Sequence, residues 1–212
     1  MTETTSQAIP DAIGYGFAEM AALASLRGGD AAVLSAEALR VGNYLGDTDM
    51  VSAGASSLVA RGLATAESDG LLAVAGPTAA VAAVLSSASR RMEISLLTVE
   101  GSDSVIAMEN EDIHLLFQPR SYFTWWAMAQ RPDVTAAEAN FAVIRQHLHN
   151  NPQGGATIRR REELTGQTLY VKNGGGGSWT IGTANAQQKD IVDITGLDDA
   201  ALLDQIRTIR QD

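Results

Sequence analysis

His147 and His149 are the first residues in this chain whose spacing could hold a metal. On a strand they would share a face, but on a helix they point about 200° apart and cannot share an ion. They close an apolar stripe of Ala139, Val143, Ile144 and Leu148, which is helical spacing. The expectation is therefore two histidines near a helix C-terminus, where positive charge is favoured, and no metal pair. His114 alternates with Ile113 and Leu115, on the polar face of a strand. The run Gly174 to Gly177 would cradle a phosphate only with a strand before it, a helix after it and a Lys-Ser/Thr pair. Ser178-Trp179-Thr180-Ile181 follows instead, a strand pattern, so a flexible hairpin tip is expected. Arg159-Arg160-Arg161 is the densest basic cluster, and Glu162-Glu163 directly after it predicts a solvated or self-paired face. Carboxylates pair only as neighbours, in Glu111-Asp112, Glu162-Glu163 and Asp198-Asp199, and adjacent acids point to different faces. Ser56 and Ser57 lack the Gly-x-Ser-x-Gly setting of a hydrolase nucleophile. Spacing marks no catalytic residue, no metal ligand and no cofactor site, so the expectation is a protein that is not an enzyme.

The remaining chemistry is recognition. Tyr122, Phe123, Trp125 and Trp126 crowd into the last of a series of short apolar runs. Strand alternation puts Phe123 and Trp125 on one face, and Tyr122, Thr124 and Trp126 on the other. One tryptophan would then face away from the core unless helices cover both faces of the sheet. Exposed tryptophan is a favoured interface anchor because it buries a large area at low entropy cost. These four residues are the expected partner-binding set.

Bulk properties narrow the partner class. Net charge is −10, from 25 acids against 15 bases. That field repels nucleic-acid phosphates and anionic membranes, and it suits solubility or a basic partner. With no cysteine, disulfides, thiolate catalysis and zinc–thiolate sites are excluded. Met1 to Pro10 has no basic lead before an apolar run, unlike a signal peptide. The alanine-rich stretch Leu71 to Ser86 is interrupted by Gly76-Pro77 and is too short for a bilayer. A cytoplasmic protein is expected.

The elements that must position these residues follow from periodicity. After a disordered lead (1–10), helices are predicted from Ile13 to Leu26, from Ala31 to Tyr44 behind an Asp30 cap, and from Asp47 to Arg61. Leu63 to Val74 reads as a hairpin around Ser68-Asp69-Gly70, and Pro77 opens a helix through Ser89. Met92 to Glu100, Ser104 to Met108, Ile113 to Phe117 and Tyr122 to Met128 read as an antiparallel meander. Thr135 and Glu138 form a capping box on the helix that ends near Asn150. Pro152 to Gly155 reads as a linker. Beyond it come a hairpin of Gln167 to Lys172 with Ser178 to Thr183, a strand at 190–195, and a helix capped by Asp198. The expected class is α+β, with a winged-helix-like helical start and a meander over 11–151. A β-hairpin, strand and helix over 156–212 stand apart or complete the same sheet. No period of roughly 20–50 residues repeats clearly.

The order helix, helix, helix, hairpin, with Leu58-Val59-Ala60-Arg61-Gly62-Leu63 closing the third helix, resembles a winged helix-turn-helix. DNA reading would need several Arg, Lys, Asn or Gln side chains on that helix. It carries Asp47 and Asp49 at its start and Arg61 alone as a base, while the wing supplies Glu67 and Asp69. A winged-helix regulator is therefore the alternative function, disfavoured by charge.

The layout is similar to EspG-like chaperones of type VII (ESX) secretion, which pair a winged-helix-like start with an antiparallel sheet. The similar parts are Leu58 to Leu63 with Ser68-Asp69-Gly70, the Pro77 to Ser89 helix and the strands Met92 to Val99, Ser104 to Met108 and Ile113 to Phe117. A second echo runs from Trp179-Thr180-Ile181-Gly182-Thr183 through 190–195 to the last helix. The likeness is one of pattern, and no sharp motif carries a family binding residue onto this chain. It implies a non-catalytic protein that binds a secreted helical substrate and keeps it soluble.

Overall fold

The computed structural model describes residues 12–68, 70–162, 166–184, 191 and 193–212. The lead at 1–10, Asp69 of the hairpin turn and residues 190 and 192 of an expected strand lie outside the described residues.

Ile13–Tyr15 does not begin a helix. It is a strand, β1, although Ile13, Phe17 and Met20 have helical spacing. Its residues pair with the stretch 125–127, Ile13 opposite Ala127 and Tyr15 opposite Trp125. Non-local pairing overrides the local stripe. Helix α1 is Phe17–Ser25, and the Gly16 N–H donates to Glu19 Oε2 at 2.8 Å to satisfy its first turn. Helix α2 is Asp30–Ala38; Gly29 rather than Asp30 takes the cap position. It stops well before Tyr44 because Arg40 turns left-handed at φ 60°. The Val41 N–H then donates to Ala36 O (2.8 Å) and the Arg40 N–H to Glu37 O (3.0 Å), a closure that satisfies the last carbonyls. A 3-10 turn, Gly42–Tyr44, leads to α3, Thr48–Ala60, capped by Asp47. Ala64–Ala66 (β2) and Leu72–Val74 (β3) form a small hairpin, followed by Gly76–Ser87 (α4).

The second half builds one sheet. Its strands are Arg90–Leu97 (β4), Ser102–Glu109 (β5), His114–Arg120 (β6) and Thr124–Ala129 (β7), then Gly155–Arg160 (β8), Thr168–Gly175 (β9), Ser178–Ala184 (β10) and Ile194–Leu197 (β11). Ala136–Asn150 (α5) lies between β7 and β8, and Asp199–Arg210 (α6) follows β11. Among the described residues nine strands pair antiparallel in the order β1-β7-β6-β5-β4-β8-β9-β10-β11. The class is α+β, an antiparallel sheet packed with helices.

Two differences from the sequence expectation matter here. Pro152 to Gly155 is no more than a turn, for the chain enters β8 at Gly155 and pairs with β4 along its length, Ile158 opposite Ile94. The arginine cluster thus sits on a central strand whose charge hid its extended pattern. Second, the order of strands reads outward from the β4–β8 pair as the same unit twice, four antiparallel strands followed by a helix. The middle strands of the two units match in length, β5 and β9 with eight residues each and β6 and β10 with seven each.

The sheet feeds two apolar cores on opposite faces. Met92, Ile94, Leu96, Ile158, Leu169, Val171 and Ile181 pack with Phe141, Ile144 and Leu148 of α5 and Leu202 and Ile206 of α6. Ile106, Met108, Leu115, Phe117 and Trp125 face the other way, into α1, α2 and α4. Buried charges tie the helices to one another and to the sheet. Glu19, 3% exposed, accepts from Ser57 Oγ (2.7 Å) and Arg61 (2.6 Å). Arg91 donates to Ser35 Oγ (3.0 Å), to the Ala31 and Ala88 carbonyls and to Glu162 (2.9 Å). Arg210 bonds Asn140 and Glu109, each at 2.7 Å. Among the described residues no helix is long and apolar enough to cross a membrane.

Two predictions follow from this packing. A Cβ on Gly54 of α3 would overlap the Ala18 carbonyl of α1. Gly54→Ala gains about 1 kcal/mol of helix propensity, yet overpacking against backbone costs about 1–3 kcal/mol. Its urea midpoint should fall; a rise would show that the helices can separate freely. Glu93 is pushed up by burial, but hydrogen bonds and charge from Arg159 and Arg161 outweigh that and hold its carboxyl below the ordinary range. A lowered folded pKa gives stability that is present above the unfolded value and lost as pH falls through the folded one. Glu93→Gln should therefore flatten the acid limb of the stability–pH curve, and an unchanged limb would contradict the pairing.

Candidate partner-binding groove

Of the four aromatic residues marked out by the sequence, Tyr122, Phe123 and Trp125 line one groove, but not as one strand. Tyr122 and Phe123 leave the expected strand and form the corner between β6 and β7. Both adopt left-handed backbone, φ 60° and 55°. Alternation fails there because a corner has no pleat. Their rings stand in solvent, 95% and 79% exposed. Trp125, the second residue of β7, points into the helix-covered core at 6% exposure. Trp126 points to the opposite face, half-exposed, against Gly14 of β1 and under the Arg120 guanidinium at 5.7 Å.

The groove lies between this corner and the helices, with a volume of about 690 Å³. One wall is Pro119, Arg120, Tyr122, Phe123, Thr124 and Trp125; the other is Phe17, Leu39, Arg40, Asn43 and Tyr44, with Ser104 of β5 at one end. Trp126 does not line it. Phe17 bridges the walls, edge-on to Tyr44 at 4.7 Å and to Phe123 at 6.0 Å between ring centroids. The sequence did not single out Phe17, Arg40 or Tyr44. Phe17 looked like one more member of an apolar helix stripe. Arg40 and Tyr44 reach the groove only because α2 ends early, with an arginine rather than a glycine at the left-handed position.

Backbone strain is concentrated here. Among the described residues the non-glycine positions with positive φ are Arg40, Tyr122, Phe123 and Gln211, and the first three line the groove. Left-handed backbone costs about 1–3 kcal/mol per non-glycine residue and clusters at binding sites. Arg40 closes α2, and the Tyr122–Phe123 corner is closed by a 3-10 turn over Ser121–Phe123 and by the Thr124 hydroxyl, which donates to the Ser121 carbonyl at 2.9 Å.

Other clefts are less suggestive. One of about 690 Å³ beside Arg90, Glu109, Arg210 and Asp212 has its charges paired with one another. Another, about 650 Å³, lies between the sheet and α5 near Leu116, Met128 and Val143. In α5, His147 Nε2 bonds the Leu97 carbonyl at 2.9 Å, while His149 is exposed on another side. Among the described residues no group of three or more His, Asp or Glu side chains could hold a metal. Gly175, Gly176 and Gly177 turn at positive φ between β9 and β10, with no helix after them. Arg159 and Arg161 pair with Glu93, and Arg160 lies near Glu162. Arg61, at the end of α3, is taken up by Glu19 and the Gly14 carbonyl.

No family model matches the chain, and no curated protein matches it.

The two tryptophans separate site from core. Trp125→Ala should lower stability by about 3–5 kcal/mol, as for a buried aromatic. Trp126→Ala should cost about 1 kcal/mol, the scale of a half-exposed ring with a cation above it. Urea denaturation of both variants checks this, and equal losses would contradict the placement of β7.

Proposed function

We propose that this chain is a non-catalytic protein-binding protein that holds a helical partner in the groove between the β6–β7 corner and the α1–α2 region. The observation that carries the reading is the pair Tyr122–Phe123, two large rings displayed to solvent on strained backbone beside an apolar groove. Rigid exposed aromatics give binding energy at low entropy cost, and strain at such a site holds them ready. The occupant we favour is a helix, because the groove is walled by side chains and its strands β6 and β7 are already paired to neighbours. The likeness in pattern to EspG-like chaperones supports a finer version, a cytosolic chaperone that keeps a secreted helical substrate soluble.

A winged-helix regulator is the weaker reading. The three helices and the β2–β3 hairpin have the right order. However, Arg61, the base at the end of α3, is committed to Glu19 at 2.6 Å, which leaves little to meet a phosphate.

The test is co-purification from the native cytosol with the wild-type chain and with Tyr122→Ala/Phe123→Ala. A stoichiometric small helical protein should accompany the wild type and be lost from the variant, with melting temperature nearly unchanged because both rings are exposed. A wild-type chain that runs alone, or a partner retained by the variant, would contradict the proposal.

A further inference from the structure

Tyr122 and Phe123 occupy positions where hairpin chemistry favours glycine. Pairing between β6 and β7 runs to Arg120 opposite Thr124, so Ser121, Tyr122 and Phe123 make a three-residue loop. Such loops turn through left-handed backbone, which glycine adopts most readily because it has no Cβ. Here two consecutive left-handed residues, at φ 60° and 55°, carry rings that stand in solvent. Exposed rings bring the fold little burial to offset the strain, so an unrestrained loop would relax and scatter them. Two contacts act against relaxation. The Thr124 hydroxyl donates to the Ser121 carbonyl at 2.9 Å, a bond that spans both left-handed residues. The Phe17 ring of α1 meets Phe123 edge-on at 6.0 Å. Trp125, the next residue, is buried in the core, so Thr124 is itself held by the sheet and can in turn hold the corner.

We infer that Thr124 is a positioning residue of the groove: its hydroxyl, acting through the Ser121 carbonyl, keeps Tyr122 and Phe123 in left-handed backbone and presents their rings before a partner arrives. This rests on the reading of the groove as a partner site and names the group that sets the site's geometry. Ordering the corner in advance lowers the entropy lost on binding. Where the competent arrangement is only part of the population, affinity falls by that fraction. A hydrogen bond of ordinary net strength shifts such an equilibrium about fivefold. Serine supplies the same donor, whereas valine keeps the shape of threonine and lacks it.

The experiment uses the full chain with 4-fluorophenylalanine at position 123, with Thr124 intact, as Thr124→Val and as Thr124→Ser, read by fluorine NMR. The chain with Thr124 and the Thr124→Ser variant should each give one resonance, distinct from that of the denatured chain. In Thr124→Val a second resonance should appear, or the first should move toward the denatured position, with melting temperature nearly unchanged. Binding is then followed by calorimetry with a synthetic helical peptide that carries a Leu/Trp stripe and Gln flanks. Thr124→Val should bind it up to about fivefold more weakly than the wild type, and Thr124→Ser equally well. A Thr124→Val resonance identical to that of the wild type, or a Thr124→Ser spectrum equally disturbed, overturns the positioning role and leaves the groove standing. A displaced resonance with undiminished peptide affinity overturns it too, because the ring's placement would then not matter to binding. No binding of the peptide to the wild type removes the partner-site reading, and the inference with it.

Discussion

Strand β4 supplies both faces of the sheet, and everything else is hung on its register. Met92, Ile94 and Leu96 enter the core beneath α5 and α6, while Arg91 enters the opposite side and bonds α2 and α4. Pairing fixes this from both edges, Ile94 facing Val105 on β5 and Ile158 on β8. A slip of one residue would drive Arg91 into the apolar core and expose Ile94, so the register has one stable choice. Because β4 and β8 are antiparallel neighbours, the two strand-and-helix units grow outward from them in opposite directions. The helices α1, α2 and α4 then cover one end of one face, and α5 with α6 cover the other face. The groove forms where the first helical layer stops short of the β6–β7 corner.

That arrangement explains which parts were legible in the sequence. Alternation in β4 and the capping box Thr135–Glu138 are local signals, and the structure carries both. So does the order of three helices and a hairpin. What was hidden depends on partners distant in sequence. Ile13–Tyr15 is extended only because β7 is there to pair with it. Gly155–Arg160 is a central strand although its last two residues, Arg159 and Arg160, and the Arg161 and Glu162 that follow are charged, because Glu93 on β4 and Glu162 neutralise the arginines. The repeated unit was invisible because its two copies share topology and not side chains.

The groove was half legible. Aromatic crowding at 122–126 located the corner, but strand alternation assigned the wrong geometry to Tyr122 and Phe123. A left-handed pair without glycine has no sequence signature. The facing wall depends on Arg40 closing α2, an equally silent event. The charge balance, read over the whole chain, suits solubility or a basic partner. Local composition of a surface decides contact chemistry, and net charge governs the approach.

The central claim is that the β6–β7 corner is where a partner sits. The most direct test places a photo-crosslinking phenylalanine analogue at position 123, with a control at Tyr170, a similarly apolar but only partly exposed site on the outer part of the sheet. Irradiated in living cells of its source, the chain substituted at 123 should yield one dominant adduct with a helical protein, and the chain substituted at 170 should not. Adducts from 170 alone, or none from 123, would contradict the account.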